Sequence, residues 1–273
     1  MNDDQECCIC NSRQIERHRS MKDAVIRNCS REYPLLRCQS CGFIFLDKDS
    51  VDVAQDIYGQ HYYSFKPFTE KQISRWSKEL SRVESPRYIL DVGCGSGTWL
   101  YQRKLEGHHA FGLEVDERAV EQGRREGLDI FTDFMAFPDS FFDLVHMSHV
   151  LEHTDDPLEM LRQVKRVLKK EGEVRILVPN VESAKFTLLQ DASKLADVPR
   201  HRGFFSKRSL ELLLLKAGFS QTKVKAVNVD RISDYKETIG DIRRALILLK
   251  KSPAHLSHFC KIVVNAFRIR ICG

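Results

Sequence analysis

No apolar run in the 273 residues approaches the roughly 20 consecutive apolar residues that a membrane-spanning helix needs. The first residues, Met1-Asn-Asp-Asp-Gln-Glu6, are acidic and lack the basic-then-apolar signature of a secretory signal. Internal repeats and low-complexity tracts are lacking too, which argues against a repeat array or a disordered chain. Together these absences make a cytoplasmic protein the expectation. In that reducing compartment the nine cysteines are not read as disulfides, and metal ligation or simple burial is their expected use. Nor is the charge one-sided. A formal net charge of +5 is compatible with phosphates, acidic glycans or nucleic acid as partners and selects none of them. What is present, 42% hydrophobic and 30% charged residues, is enough for a globular domain with a substantial core and a smaller attachment.

Three regions divide the chain. Residues 1–48 hold six of the nine cysteines and little regular periodicity. Residues 49–86 begin with an aromatic bridge, Tyr58-Gly-Gln-His-Tyr-Tyr-Ser-Phe65, and continue into an amphipathic helix over 69–84, the two together placed to cover a cleft. Ile73, Trp76, Leu80 and Val83 recur there at helical spacing, and Pro86 stops the helix. In residues 87–273 short apolar runs alternate with helical segments. Strands are expected at 88–92, 110–114, 128–131, 142–147 and 174–178, and helices at 98–106, 117–126, 157–168 and 206–217. That alternation predicts an α/β fold, a mostly parallel Rossmann-like sheet with helices on both faces. Beyond it, 223–229 alternates as a strand does, 234–251 has a helical pattern, and 261–271 is apolar with interleaved arginines.

The run Ile89-Leu-Asp-Val-Gly-Cys-Gly-Ser-Gly-Thr-Trp-Leu100 reads as strand, glycine turn and helix. Glycines at 93, 95 and 97 permit a tight turn whose backbone N–H groups approach a ligand without Cβ obstruction. Glu114 ends the next strand, about twenty residues on, where a carboxylate accepts hydrogen bonds from ribose hydroxyls. Dinucleotides and S-adenosylmethionine both fit that much. Asp91 separates them, because a carboxylate at the mouth of the loop repels a pyrophosphate and suits the ammonium of a methionine moiety. The G-x-G-x-G spacing also differs from the G-x-G-x-x-G of dinucleotide sites.

Other pieces stand in a telling order along the chain. Leu90-Asp-Val-Gly-Cys-Gly-Ser-Gly97 is followed by Gly112-Leu-Glu-Val-Asp116, Phe142-Asp-Leu-Val145, His149-Val-Leu-Glu-His153 and Val178-Pro-Asn180. Pro199-Arg-His-Arg-Gly-Phe-Phe-Ser206 and Lys216-Ala-Gly-Phe219 complete the series. From Tyr88 to about Phe219 the chain therefore resembles the class I S-adenosylmethionine-dependent methyltransferases. More narrowly it resembles the bacterial group that carries an N-terminal cysteine-rich, zinc-binding segment and includes sugar C-methyltransferases. The resemblance implies that Asp91, Gly93, Gly95 and Gly97 surround the methionine part of the donor, that Glu114 holds the ribose, and that Asp133 lies near the adenine amino group. It also implies a sugar or sugar nucleotide as acceptor. Where many relatives have Pro-Gly before the fifth strand, this chain has Glu171-Gly172.

Cys7-Cys-Ile-Cys10 and Cys38-Gln-Ser-Cys41-Gly42 form two Cys-x-x-Cys pairs with 27 residues between the inner cysteines. Thiolates from Cys7, Cys10, Cys38 and Cys41 make a closed tetrahedral site that suits structural zinc, with Cys8, Cys29 and His18 as substitutes in the set. Burial of reduced thiols without metal is the competing reading. The resemblance makes residues 1–48 a zinc-ribbon-like module that shapes the substrate side.

Methyl transfer from a sulfonium is an in-line displacement in which positioning and water exclusion supply much of the rate, and a base is needed only where the nucleophile loses a proton. Met147-Ser-His-Val-Leu-Glu-His153 follows the fourth strand of the sheet, beyond whose carboxyl end ligands bind in open α/β folds. His149 and His153 are thus candidate bases, with Glu152 to orient them, against a bland role in bracing the loop. His201, in the next cleft-facing connection, is a third candidate. Its neighbours Arg200 and Arg202 suit an anionic group on a substrate, or else belong to a solvated basic loop. Tyr58, Tyr62 and Tyr63 suit a lid over donor and acceptor, or inter-domain packing. After Asp241 the chain has no acid and several basic residues, a pattern for peripheral membrane contact or nucleic acid, although 261–271 equally suits the last, antiparallel strand, which is the favoured reading. A small-molecule methyltransferase is the leading expectation. An RNA or protein methyltransferase and a non-catalytic S-adenosylmethionine-binding protein are the alternatives.

Overall fold

In the computed structural model, residues 5–23, 31–51, 67–183, 186, 196–220, 222–227 and 266–272 are described. Two sheets form from them. In the first, β1 (Ile15–Lys22) pairs antiparallel with β2 (Glu32–Cys38), which pairs antiparallel with β3 (Ile44–Leu46). Its fourth strand comes from far along the chain, since Ile44 and Phe45 pair with Phe204 and Gly203. Met21, Tyr33, Leu35, Ile44 and Leu46 from this sheet bury against Val198 and Phe204, so the cysteine-bearing segment builds its core partly from the other region.

A helix α1 (Glu70–Glu79) follows, started by a capping box between Thr69 and Gln72. Only Trp76 is buried on it, against Phe68 and Tyr101. The helix expected to reach residue 84 stops at Leu80, whose backbone is extended, and the Val83 N–H bonds to the Glu106 carbonyl instead of continuing the helical ladder.

The larger sheet contains β4 (Tyr88–Val92), β5 (His109–Leu113), β6 (Asp129–Phe131), β7 (Phe142–Ser148) and β8 (Leu168–Pro179), all parallel to their neighbours in the order β6-β5-β4-β7-β8. Between them lie α2 (Thr98–Leu105), α3 (Glu117–Arg125) and α4 (Pro157–Val167). Their starts follow the local chemistry: Asp116 accepts from the Arg118 N–H, and Asp156 accepts from Leu158 and Glu159 with Pro157 at the first helical position. After β9 (Gly203–Phe204), α5 (Lys207–Lys216) begins at Ser206, capped reciprocally by Ser209. β10 (Thr222–Val227) and β11 (Ala266–Cys272) close the sheet, β11 antiparallel between β10 and β8. The arginine-bearing end of the chain is thus the last antiparallel strand over 266–272. The helical pattern at 234–251 and the start of the 261–271 run lie outside the described residues.

Parallel strands covered by helices on their faces carry apolar side chains in near-continuous runs. Accordingly Leu90, Val92, Val145, Met147, Val174, Ile176 and Val178 are buried in one cluster, which also takes in Cys7, Ile9, Cys38, Cys41 and Phe43. Both sheets therefore abut one interior. Among the described residues no helix is long and apolar enough to cross a membrane.

Among the described residues the largest fully buried side chain is Arg200. Its guanidinium donates to both Asp23 oxygens at 2.8 and 2.7 Å and to Asp197 Oδ1 at 2.8 and 2.6 Å. Removing one partner of a buried charge cluster leaves the other charges uncompensated, which costs about 3–5 kcal/mol. Arg200→Met should therefore lower unfolding free energy by about that amount in urea titrations. Arg13→Ala, which breaks only an exposed pair with Glu6, should leave the midpoint unchanged.

Candidate functional site

The glycine turn sits where β4 hands over to α2, at the carboxyl end of the sheet. Gly93, Gly95 and Gly97 all have left-handed backbones, with φ of 66°, 57° and 87°. The left-handed conformation favours glycine, and a Cβ would also displace Val150, whose Cγ2 lies 2.5 Å from its place at Gly93, and Leu128 at Gly97. Glu114, one residue past β5, holds this turn. Its Oε2 accepts from the Gly95 N–H at 2.9 Å, and its Oε1 accepts from Val115 and Asp116 at 2.8 and 3.0 Å. One carboxylate therefore spans the turn and the loop that follows the neighbouring strand.

Asp91 lies at the base of the turn and is 4% exposed. His146 Nδ1–H donates to its Oδ1 at 2.7 Å, and the His146 ring stacks on Trp99 with centroids 4.2 Å apart. Burial pushes the Asp91 carboxyl above its ordinary range; His146 pulls it back in part, and the nearby Glu114 charge adds to the rise. A buried carboxyl under that strain gains from a cation placed at the turn. The partnership with His146 is not visible in the sequence, because it depends on β4 and β7 being neighbours with Asp91 opposite His146. Asp133 follows β6, is exposed, and accepts from the Met135 N–H at 2.7 Å.

A second constellation follows β7. His149 adopts a left-handed backbone, φ 57°, unusual for a residue with a Cβ, and its N–H is held by the Leu177 carbonyl at 2.9 Å. Its Nδ1 bonds Glu152 Oε1 at 3.0 Å. Glu152 is 1% exposed, and its Oε2 is buried without a hydrogen-bond partner. The Nδ1–H of His153 donates to the Arg200 carbonyl at 3.0 Å, and the His153 and His201 rings meet edge to face at 4.6 Å. The three histidines, expected from two motifs, therefore gather round one carboxylate. Burial alone would raise Glu152, but the His149 hydrogen bond and the charges of His201, His149 and His153 hold it below the ordinary carboxylate range. Burial pulls His149 down, yet its bond to Glu152 outweighs this and leaves it above the usual imidazole range.

The arginines beside His201 are not available to a substrate. Arg200 is enclosed and saturated by Asp23 and Asp197, and Arg202, 8% exposed, pairs with Asp155 at 2.7 Å. The expected substrate-anion contact, like the solvated basic loop, is replaced by internal ion pairs. Burial of cations at this depth requires such partners.

The cysteine pairs come together. Cys7 and Cys41 sulfurs are 3.6 Å apart, those of Cys10 and Cys38 are 3.4 Å apart, and all four lie within 4.8 Å of one another. Sulfurs at about 2.3 Å from one zinc ion sit roughly 3.8 Å apart in a tetrahedron, so the set fits that ion. Tight turns place them, with Asn11 bonded back to Cys7 and Gly42 to Cys38. A hydrogen bond from Cys41 pulls the Cys7 thiol down to about 5, as expected where crowded sulfurs share protons. Cys8 stands apart, its thiol pushed up to about 12 by burial, and His18 is exposed on β1, so neither substitutes in the set. Cys29 and the bridge residues Tyr58, Tyr62 and Tyr63 lie outside the described residues.

Comparison with known proteins bears on this geometry. The model of a family described as a methyltransferase domain matches residues 65–224. A ubiquinone biosynthesis O-methyltransferase of Vibrio vulnificus is 25% identical over 188 residues, covering 62% of this chain and 80% of that protein. A tRNA U34 carboxymethyltransferase of Pseudoalteromonas translucida is 24% identical over 177 residues, covering 60% and 55%. Among solved structures, a phosphoethanolamine N-methyltransferase 2 of Haemonchus contortus in complex with S-adenosyl-L-methionine superposes with a TM-score of 0.51 at 17% identity. It covers 77% of this chain and 54% of that one, and shares the fold.

Glu114 generates a prediction independent of any ligand. Glu114→Ala deprives the Gly95, Val115 and Asp116 amides of their acceptor. Loss of about 1–2 kcal/mol of charged hydrogen bonding should speed their hydrogen exchange roughly tenfold or more by NMR, while the Leu113 amide inside β5 stays protected.

Proposed function

The chain belongs to the methyltransferase-domain family and is a S-adenosylmethionine-dependent enzyme of Rossmann-like fold; from that premise we propose which residues hold the donor and which receive the acceptor. Asp91 takes the ammonium of the methionine moiety, the Gly93–Gly97 turn lies along it, Glu114 takes the ribose hydroxyls, and Asp133 lies on the adenine side. The buried Asp91 carboxyl carries this reading. It is pushed upward by its surroundings at the mouth of a left-handed glycine turn, where a cation relieves it and a pyrophosphate would not.

The bound donor supplies a methyl group already activated on a sulfonium. What the protein adds is position and exclusion of water. On the acceptor side His149 is the proton acceptor. Its side chain is partly exposed while Nδ1 is fixed by buried Glu152, which leaves Nε2 for the substrate. His153 and His201 stand behind it on the same carboxylate, and Tyr58, Tyr62 and Tyr63 form the lid. The acceptor is a small molecule, a sugar or sugar nucleotide by the resemblance of the motif series. RNA is the second reading, supported by the relatives named for tRNA. The four-cysteine set binds structural zinc, as in the cysteine-rich bacterial group, and the enzyme works in the cytoplasm.

Calorimetry should find S-adenosylmethionine binding weakened more than about tenfold by Asp91→Ala and by Glu114→Ala, the size of a lost charged hydrogen bond. Unchanged affinity in both variants would sink the donor assignment. Labelled donor incubated with cell extract, with and without ribonuclease, separates the acceptor classes. On the acceptor so found, His149→Ala should lower turnover by roughly 10²–10⁴ while donor affinity holds.

For the cysteine set, elemental analysis should find one zinc per chain, lost together with thermal stability on Cys7→Ser or Cys41→Ser. Stable protein with less than about half an equivalent of zinc argues for buried thiols instead.

A further inference from the structure

Glu152 is only half engaged on the acceptor side. One oxygen is engaged by His149, whereas Oε2 is buried with no hydrogen-bond partner, a costly state for a carboxylate. Beside it are two imidazoles. One ligand atom from each of Glu152, His153 and His201 lies within 4.8 Å of the others. Donors bound to one ion at about 2.1 Å can be no more than about 4.2 Å apart, so small side-chain rotations bring the three onto a single ion.

The surroundings of His153 prepare it for this use. A carbonyl oxygen only accepts, so the bond from His153 Nδ1 to the Arg200 carbonyl fixes the proton on Nδ1 and leaves the Nε2 lone pair for a metal. The carbonyl is itself immobile, since the Arg200 side chain is locked by Asp23 and Asp197. The Arg202 N–H donates to the Glu152 carbonyl at 2.6 Å, which ties the strand-following turn that bears Glu152 and His153 to the loop that bears His201. His149 on Glu152 Oε1 completes an outer shell. Arg200 and Arg202 near the site both pair with aspartates, Arg202 keeping a buried Nε–H without a hydrogen-bond partner.

We propose that Glu152, His153 and His201 bind a divalent first-row transition metal ion at the carboxyl end of β7, as a two-histidine, one-carboxylate site separate from the four cysteines. Two imidazoles and one carboxylate favour Zn(II), Fe(II) or Co(II) over Mg(II) and Ca(II), which prefer all-oxygen sets. Three protein ligands leave coordination positions open for water or an acceptor oxygen. The site deepens the acceptor-side reading and rests on it only for that last role.

The test uses full-length protein stripped of metal under reducing conditions and titrated with Co(II). Total bound cobalt is read by equilibrium dialysis, and thiolate-to-cobalt charge transfer is read by absorbance. Only the cysteine-bound ion contributes to that band, because imidazole and carboxylate ligands are not thiolates. One bound equivalent silent in the band is expected, and His153→Ala and Glu152→Gln should each abolish it or weaken it more than tenfold. The charge-transfer band and S-adenosylmethionine affinity should be unchanged in both, which shows that the fold survived. Should either variant fail to fold, the wild-type histidine NMR signals decide: the His153 and His201 rings shift on saturation with Zn(II). No silent equivalent in wild-type protein that binds donor overturns the proposal, as does a silent equivalent that persists in both variants, or unmoved ring signals. Wild-type protein that fails to bind donor but holds the silent ion counts against the donor reading alone.

Discussion

The buried guanidinium of Arg200 is the contact on which the rest of the arrangement depends. Asp23 comes from the end of the amino-terminal hairpin and Asp197 from the approach to His201, and Arg200 pins them together inside the protein. From that fixed point the main chain does four things in five residues, 200–204. The Arg200 carbonyl orients His153, the Arg202 N–H holds the Glu152 carbonyl, and the Arg202 carbonyl accepts from Leu46. Gly203 and Phe204 then complete the small sheet. A charge cluster of this kind adds little stability beyond what an apolar replacement would give, and its attested value lies in specifying one arrangement. Here that arrangement joins the cysteine-bearing segment to the histidines.

This coupling gives the cysteine set a physical connection to chemistry that it does not touch. Cys38 and Cys41 flank the turn that leads into β3, and β3 pairs with Gly203 and Phe204, two residues beyond His201. Phe43 packs against Phe205 with ring centroids 5.2 Å apart. No Cβ fits on Gly203 without meeting Phe43, so the approach of the two segments is close. An ion that fixes the four sulfurs thereby also fixes the edge on which the His201 loop rests. A loop that carries functional side chains is best held by rigid elements, and here one of them is supplied from the other end of the chain.

How much of this was legible beforehand follows from which features are local. The strand, glycine turn and next strand that carry Asp91 and Glu114 could be read because they lie within about 25 residues and each residue type answers a local demand. The cysteine set could be read because paired spacing survives a long spacer. His146 could not, since its role depends on β7 lying beside β4, and strand order is not written in periodicity. Arg200 and Arg202 depart from the sequence expectation for a related reason. A Pro-Arg-His-Arg run looks like a solvated basic loop until partners from residues 23, 155 and 197 are brought to it. Asp197, three residues before Arg200, was the one available local signal. The helix expected to residue 84 failed at Leu80 because helical spacing of apolar residues does not register a competing bond, here from Val83 to Glu106.

Two buried carboxylates lie at the ends of adjacent strands and face different surroundings. Asp91, at the end of β4, has one imidazole against it and a second carboxylate nearby, and its carboxyl is pushed up. Glu152, just after β7, has three imidazoles around it and is pushed down. Burial is the largest influence on both, so the opposite outcomes come from what faces each group. Where titratable groups in one site are driven apart in this way, their roles separate as well. The Asp91 side is short of positive charge and suits a cation. The Glu152 side gathers three imidazoles around one carboxylate. On the proposed assignment the donor arrives charged on the Asp91 side and the acceptor's proton passes to His149 on the Glu152 side, so methyl transfer needs no charge to move through the protein.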